Sequence, residues 1–361
     1  MNEATSPQLK DAHFDVCIVG AGIAGLSAAQ ALSAKDLNIA VLEKSRGPGG
    51  RMATRRIDGV QFNHGAPSFT IESAEFLAWA RAAERKNSLK IADDPKVVPL
   101  RENRASSWHY VATTTANSSM NLLARSTFTP ANFYTLIRVT ALTLVAANHW
   151  SVQYQLENPQ GEVLSTGSLR ANKIVLALPA PQAAALLAPL AQPFTALATA
   201  AKNVAYDPCW VAMFTLPTPS NIETNAFGEA PLDSAQTQLA KCIRQPSATG
   251  TPTEQWVVHA TTEWTITHLN DSKEIAANAL FSGFSKQYSY QTTAINCAAH
   301  RWLYSQPAAT TAQTTLVAAL AEAAAHGLFC MGDWVITAAT TLTVCNLEHA
   351  WLSGQRLGKY F

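Results

Sequence analysis

An apolar run at 16–19 ends on Gly20 and gives way to an alanine-rich stretch with further glycines at 22 and 25. A second β-branched run at 39–42 then stops at Glu43. Apolar run, glycine turn, helical composition and apolar run predict a βαβ unit. Apolar residues Phe76, Leu77, Trp79 and Ala80, set against Arg81, Glu84, Arg85 and Lys86, predict an amphipathic helix over 72–90. A shorter helix is expected over 117–125, capped by Asn117 or Ser118. Residues 137–145 and 150–156 alternate as paired strands, Gly161 marks a turn, and 174–178 reads as a buried strand stopped by Pro179.

In the second half, 255–261 and 265–269 read as strands. Residues 272–287 read as a helix with Ile275, Ala279, Leu280 and Phe284 on one face. Near the C-terminus, 328–334 is an apolar strand running into Gly332-Asp333, and 346–357 is a helix with Asn346 as its cap.

Composition narrows the function. The 361 residues allow two domains or one large one, and with 48% apolar and 14% charged a substantial core is easily filled. A net charge of +1 without a basic tract excludes a nucleic-acid binder. No charged residue lies between Lys173 and Lys202, but Pro179, Pro181, Pro189 and Pro193 interrupt that stretch. It is expected to be a buried strand, a turn and a short helix, not a membrane span. The polar, irregular residues 1–13 read as a loose tail and argue against secretion. Six cysteines, at 17, 209, 242, 297, 330 and 345, form no C-x-x-C pair, which suits reduced thiols in a cytoplasmic protein. The histidines do not fall at ligand spacing with Cys, Asp or Glu, so no metal is expected. There is no G-x-S-x-G elbow and no paired-carboxylate arrangement.

The chemistry-bearing pattern is G-x-G-x-x-G at Gly20, Gly22 and Gly25, with Glu43 placed 18 residues after the last glycine. Gly20 permits the strand-to-helix turn, Gly22 lets a pyrophosphate reach the backbone, and Gly25 lets helix and strand pack closely. The following helix directs unpaired N–H groups at the phosphates. Glu43 suits a free ribose 2′-hydroxyl and would repel a 2′-phosphate. The loop from Ser45 to Met52 carries Gly49, Gly50 and Arg51, which suit a second contact with a long dinucleotide. Asp333, at the end of an apolar strand, can reach a ribityl hydroxyl. An ordinary nicotinamide dehydrogenase needs no such C-terminal contact, so FAD is the expected cofactor.

The strings V-G-A-G-I-A-G-L-S and E-K-S-R-G-P-G-G-R-M-A-T resemble the renalase-like branch of the amine-oxidase-type flavoproteins. Asn63-His-Gly-Ala66, Leu176-Ala-Leu-Pro-Ala-Pro-Gln182, Trp256-Val-Val-His259-Ala, Ala299-His-Arg-Trp302 and Gly332-Asp333-Trp334 follow in the same order. The resemblance implies an α/β fold, with a Rossmann-type FAD-binding domain interrupted by a β-meander and a second α+β substrate domain. This is the amine-oxidase/p-hydroxybenzoate-hydroxylase-like architecture. It implies an FAD-binding domain of residues 1–72, 118–182 and 324–361, and a substrate domain of 73–117 and 183–323 laid over the flavin. The implied FAD contacts are Gly20, Gly22, Ile23, Ala24, Gly25, Glu43, Lys44, Arg46, Gly50, Arg51, Met52, Val139, Gly332, Asp333 and Leu347, with Val139 against the adenine. His259 and Trp302 are the implied substrate-side residues. By the residues alone, His268, His300, Trp256 and Trp264 read as core or rim.

The activity so implied is an oxidase in which a small reduced substrate, such as a non-standard dihydro-NAD(P) isomer, gives hydride to flavin N5. Dioxygen then accepts the electrons and yields hydrogen peroxide. An amine oxidase is the alternative within enzymes, although no tyrosine lies between Tyr304 and Tyr360 to line an amine cage. A flavin-holding protein without turnover is the alternative outside them. The chain departs from the family at Pro67-Ser68, where Gln-Tyr is usual, at Leu303, where Arg is usual, and by extra residues at 336–344.

Overall fold

The computed structural model describes residues 9–86, 88–93, 110–116, 118–127, 132–225, 227–233, 237–247, 252–308, 314–335 and 347–361. Two compact units form: Met1–Gly50, Ala124–Ala205 and Pro307–Phe361 in the first, Arg51–Leu123 and Tyr206–Gln306 in the second. These packing boundaries assign residues 51–72 to the second unit and 183–205 to the first. The reason for the former is local: Phe62, on the strand Val60–Asn63, is fully buried with Val211, Met213 and Val257.

The first unit is built on strand His13–Val19, which is apolar on both faces because both are covered. Ile39–Glu43 lies parallel on one side of it, with Val16 opposite Ile39 and Val19 opposite Leu42. Asn132–Thr135 continues the sheet beyond, also parallel. On the other side runs the long strand Val163–Leu176, parallel, with Val19 opposite Leu176. Leu328–Cys330 pairs parallel with the end of that long strand. Its beginning turns antiparallel to His149–Glu157, which pairs in turn with Ile137–Ala146. One strand thus joins a parallel Rossmann sheet to a meander. The sheet reverses its winding direction between His13–Val19 and Val163–Leu176, the crevice where such sheets bind ligands. Helix Ile23–Leu32 is buried along almost its whole length. It is held to the C-terminal helix Leu347–Gln355 by Ser27 Oγ donating to the Trp351 carbonyl at 2.7 Å.

The second unit has a four-stranded sheet in the order Leu239–Arg244, Glu254–Ala260, Tyr206–Leu216, Asn296–Pro307. Alternation along its strands sends Trp210, Phe214, Trp256 and Val258 to one face, under Leu280 and Phe284 of helix Lys273–Gln287. Val211, Met213 and Val257 point to the other face, where Phe62 and Trp302 pack. A second sheet joins Ser68–Ile71, Tyr110–Thr114 and Leu89–Asp93 antiparallel.

The structure corrects several sequence expectations. Of the residues expected as a strand at 265–269, Thr265–Thr267 belong to helix Thr262–Thr267, because Thr261 Oγ accepts from Trp264 N and caps it; Ile266 is left exposed. Helix Lys273–Gln287 buries Ala276, Ala277, Leu280, Gly283 and Phe284 and leaves Ile275 56% exposed. Small residues let it sit close to the sheet, so size sets the buried face more than hydrophobicity does. The helix expected over 72–90 ends at Arg85, and Leu89–Asp93 is a strand. The next helix, Met120–Thr127, is capped by Ser119 Oγ accepting from Leu122 N, not by Ser118. Asn117, Asn346, Cys345 and the 336–344 stretch lie outside the described residues. No helix among the described residues is long and apolar enough to cross a membrane.

Candidate functional site

In the first unit, the expected cofactor residues converge on the carboxyl edge of the parallel strands. Gly20 has φ +102°, and a Cβ there would lie 2.6 Å from the Ala177 carbonyl oxygen. At Gly25 a Cβ would lie 2.0 Å from the Gly20 carbonyl oxygen, so turn and helix touch backbone to backbone. Gly22 differs: a Cβ built there meets nothing within 4 Å, and its φ of −70° is open to any residue. Sterics inside the protein therefore explain Gly20 and Gly25 but leave open space beside Gly22. The helix that follows has no side-chain cap among the described residues and no acidic residue in its first turn. Ile23 and Ala24 bury their side chains there. Open space beside an uncapped helix start fits a pyrophosphate.

Glu43, 7% exposed, accepts from Ala21 N through Oε2 and from Ser45 N through Oε1, each at 2.8 Å. Its carboxylate ties the glycine turn to the loop after the second strand, and retains lone pairs for ribose hydroxyls. The same loop is held again by Gly49 N donating to the Ala21 carbonyl at 2.8 Å, which sets Gly50 beside Gly22. Leu136 N donates to the Ser45 carbonyl, so strand Ile137–Ala146, with Val139, starts beside this loop. Lys44 Nζ reaches Gln182 Oε1 at 3.4 Å, while Arg46 is exposed. Asp333, 4% exposed, follows strand Leu328–Cys330. Gly332 N donates to Ser353 Oγ at 2.9 Å and Trp334 Nε1 to the Leu178 carbonyl at 2.8 Å, fixing the segment on both sides of the carboxylate. Leu347 opens the C-terminal helix.

Arg51 and Met52 belong to the second unit. Arg51 Nη1 donates to the Ser305 carbonyl at 3.0 Å, and the Arg51 carbonyl accepts from Ala66 N; Met52 is buried.

The second unit also holds a cluster of histidines around Trp302. The indole Nε1 donates to the His64 carbonyl at 3.0 Å, and the His64 ring stacks on the indole with centroids 5.2 Å apart. His300 meets the indole edge-on at 4.4 Å and His64 edge-on at 5.0 Å. His259 lies opposite Val211 and Lys241 in the sheet, on the same face as Val257. His64 Nδ1 and His259 Nε2 are buried without a hydrogen-bond partner among the described residues. Burial pushes both imidazoles down to about 3, helped at His64 by His300, Arg55 and His259 against a hydrogen bond to the Phe62 backbone, and at His259 by Lys241. Burial, with Arg55 and Lys273, takes His300 to about 4. All three rings are therefore neutral at pH 7 and cannot serve as proton acceptors of ordinary basicity.

The sequence points to His259 and Trp302, while His300 reads as a core or rim residue and His64 carries no role. The available signal was that both sit inside the strings carrying the resemblance, at 63–66 and 299–302. Among the described residues, no group of three His, Cys, Asp or Glu side chains could hold a metal.

The linkage has a measurable sign. These imidazoles bind protons near 6.5 when unfolded but only near 3–4 when folded, so the unfolded state takes up more protons in between. Their contribution to stability is complete above about pH 6.5 and falls as the pH drops toward 3. Urea unfolding at pH 7 and pH 5 should show the loss at the lower pH, and replacing His64 and His259 by Phe should reduce it.

Comparison with known proteins agrees with this geometry. Residues 18–82 match the family model described as "NAD(P)-binding Rossmann-like domain". Over 56 residues, 16% of the chain, it is 41% identical to the hydroxyneurosporene desaturase of Rubrivivax gelatinosus, a match spanning 11% of that relative. The cyclohexylamine oxidase of Brevibacterium oxydans IH-35A superposes over 96% of this chain and 98% of its own, with TM-score 0.66 and 12% identity. An engineered putrescine oxidase does so over 97% and 99%, with TM-score 0.58 and 12% identity. The chain thus has the α/β fold of these oxidases, with a Rossmann-like dinucleotide-binding domain.

Proposed function

We propose that the protein is an FAD-dependent oxidoreductase of the amine-oxidase type, acting as an oxidase on a small reduced substrate. One observation carries the reading: the open space at Gly22, the Glu43 clamp and the buried Asp333 all lie at one carboxyl edge of the parallel sheet. The uncapped helix N-terminus and Gly22 backbone hold the pyrophosphate, Glu43 the adenosine ribose, and Asp333 the ribityl chain. Residues 1–72, 118–182 and 324–361 serve the cofactor, and 73–117 and 183–323 the substrate. FAD bound there would supply a hydride acceptor for the small reduced substrate, with dioxygen as the final electron acceptor.

The finer reading is renalase type, with dihydro-NAD(P) isomers as donors. It is supported by the neutral histidines: a dihydropyridine becomes a cationic pyridinium as hydride leaves and needs no protein base. An alkylammonium substrate must first lose a proton, and imidazoles held near 3 do not take it. Five free cysteines among the described residues, three of them buried, fit a cytoplasmic location.

Purified protein should be yellow and release unmodified FAD on acid precipitation. Anaerobic mixing with dihydronicotinamide isomers, ordinary NAD(P)H and amines should bleach the flavin absorbance with the isomers. Bleaching by amines alone moves the assignment to an amine oxidase. FAD retention without bleaching by any donor makes the protein a flavin holder without turnover.

Glu43→Ala should lower both stability and FAD affinity, because it leaves Ala21 N–H and Ser45 N–H without their acceptors. A loss of about 2–4 kcal/mol in urea unfolding, and of about tenfold or more in FAD affinity by fluorescence titration, is the expected scale. Unchanged FAD affinity would remove Glu43 from the ribose site.

A further inference from the structure

We propose that a cleft in the second unit binds the phosphate monoester of a small organic molecule. The cleft encloses about 600 Å³ where the end of strand Tyr110–Thr114 faces the adjoining ends of strands Leu239–Arg244 and Glu254–Ala260. Every residue on its wall belongs to the second unit, and His64, His259, His300 and Trp302 are not among them. The inference therefore stands apart from the oxidase reading. The volume is that of a small-molecule site, far more than a bare ion fills.

The direction of the wall's hydrogen bonds selects the ligand, because its acceptors are already taken by the protein's own N–H and O–H groups. Asn225 Oδ1 accepts from Phe227 N and Glu229 N, each at 3.0 Å. Gln245 Oε1 accepts from Asn63 N, and Thr114 Oγ1 from Asn63 Nδ2, both at 3.0 Å. Thr224 Oγ1 accepts from Arg244 Nη2 at 2.8 Å. Glu254 uses Oε1 on Arg244 Nη1 and Oε2 on Ser220 Oγ, Ser220 N and Trp256 Nε1. These bonds orient both amides with the NH2 group left over. What remains on the wall is donors without an acceptor among the described residues. They are the amide nitrogens of Asn225 and Gln245, the hydroxyl hydrogens of Thr114 and Thr224, the Ser247 hydroxyl and the Lys90 ammonium. Two of them lie deep, Thr114 at 2% and Gln245 at 5% exposed. Buried donors in native proteins are paired as a rule, so these call for a partner from outside the chain.

Charge points the same way. Arg244 and Glu254 cancel as an ion pair at 3.2 Å, whereas Lys90 has no ion pair among the described residues. The wall is thus donor-rich and net positive, and its complement is an anion that offers acceptors alone. A phosphate monoester brings three terminal oxygens and a charge of about −1.5 to −2 at pH 7, and so meets more of these donors than a carboxylate does. Pro219, Phe227 and Pro246 give the organic remainder an apolar wall.

The test is isothermal titration of the full-length protein in excess FAD, which keeps phosphate probes out of the dinucleotide site. Phenyl phosphate should bind about tenfold or more tighter than benzyl alcohol and severalfold tighter than benzoate or inorganic phosphate. Its affinity should fall as salt is raised. Asn225→Asp keeps the oxygen that accepts from Phe227 N and Glu229 N and turns the free donor into a negative acceptor. It should weaken phenyl phosphate about tenfold or more and leave benzyl alcohol as in the parent. Lys90→Gln, at an exposed position, should weaken phenyl phosphate up to about fivefold and flatten the salt dependence. Should Asn225→Asp not fold, Lys90→Gln carries the comparison. Absence of phenyl phosphate binding, equal affinity for any of the other three probes, or unchanged affinity in the variants would overturn the proposal. None of these readouts uses flavin bleaching, so this inference and the oxidase reading fail separately.

Discussion

Gly25→Ala should abolish the dinucleotide fold, while Gly22→Ala, three residues away, should leave the fold intact and weaken cofactor binding. A methyl group at 25 would stand 2.0 Å from the Gly20 carbonyl oxygen and 3.1 Å from Ala177 Cβ. The first obstacle is backbone at the end of a buried strand, which cannot swing aside as a flexible side chain does. A loss above about 4 kcal/mol is expected, the range reserved for overpacking and strain in a core, and soluble yield should fall with it. At 22 the methyl meets nothing within 4 Å and the backbone angle is ordinary, so the melting temperature should stay within a few degrees of the parent. The same methyl would fill the space assigned to the pyrophosphate. FAD affinity should then drop by about tenfold or more, the scale of one or two charge-assisted hydrogen bonds. Melting curves and flavin titration on both variants settle it: Gly22→Ala binding FAD like the parent means that no phosphate lies at that turn.

His259→Phe should slow flavin reduction by an active donor about 10- to 100-fold, the scale on which lost positioning acts. It should do so without loss of stability. In the free protein the His259 Nε2 is buried and unpaired among the described residues, a state that costs about 1–3 kcal/mol for such a group. Replacing the ring by an apolar one of similar size removes that cost, so stability should hold or rise while the reaction slows. A residue that only packs the core leaves the reduction rate alone. FAD content should be unchanged, and reoxidation by dioxygen of chemically reduced enzyme should proceed at the parent rate. Stopped-flow absorbance in the flavin band, with urea unfolding of the same preparations, reads both halves. Reduction at the parent rate with every working donor would return His259 to the core.

The βαβ unit was legible in the chain because its determinants are local. Gly25 packs against the Gly20 carbonyl of its own turn, the apolar runs at 16–19 and 39–42 are buried on both faces, and Glu43 ends its own strand. The meander strands and the strand before Gly332-Asp333 were readable for the same reason, since alternation and apolar runs report burial directly.

What the sequence by itself could not decide was set by partners distant along the chain. Residues 265–269 carry a strand-like pattern, yet 265–267 are helical, with the buried Thr265 Oγ1 accepting from Trp210 N, 55 positions away. Ile275 is more hydrophobic than Ala276, but close approach to the sheet favours the smaller side chain. Glu43 was assigned a ribose from its position; its bonds to Ala21 N and Ser45 N exist only once strand, turn and loop have closed. The contact between His64 and Trp302 joins residues 238 positions apart, and no spacing rule reaches that far. Local backbone chemistry therefore determined the cofactor half of this protein. Its histidine–tryptophan cluster was decided by tertiary packing, because only packing can bury an imidazole, strip it of partners and hold it neutral.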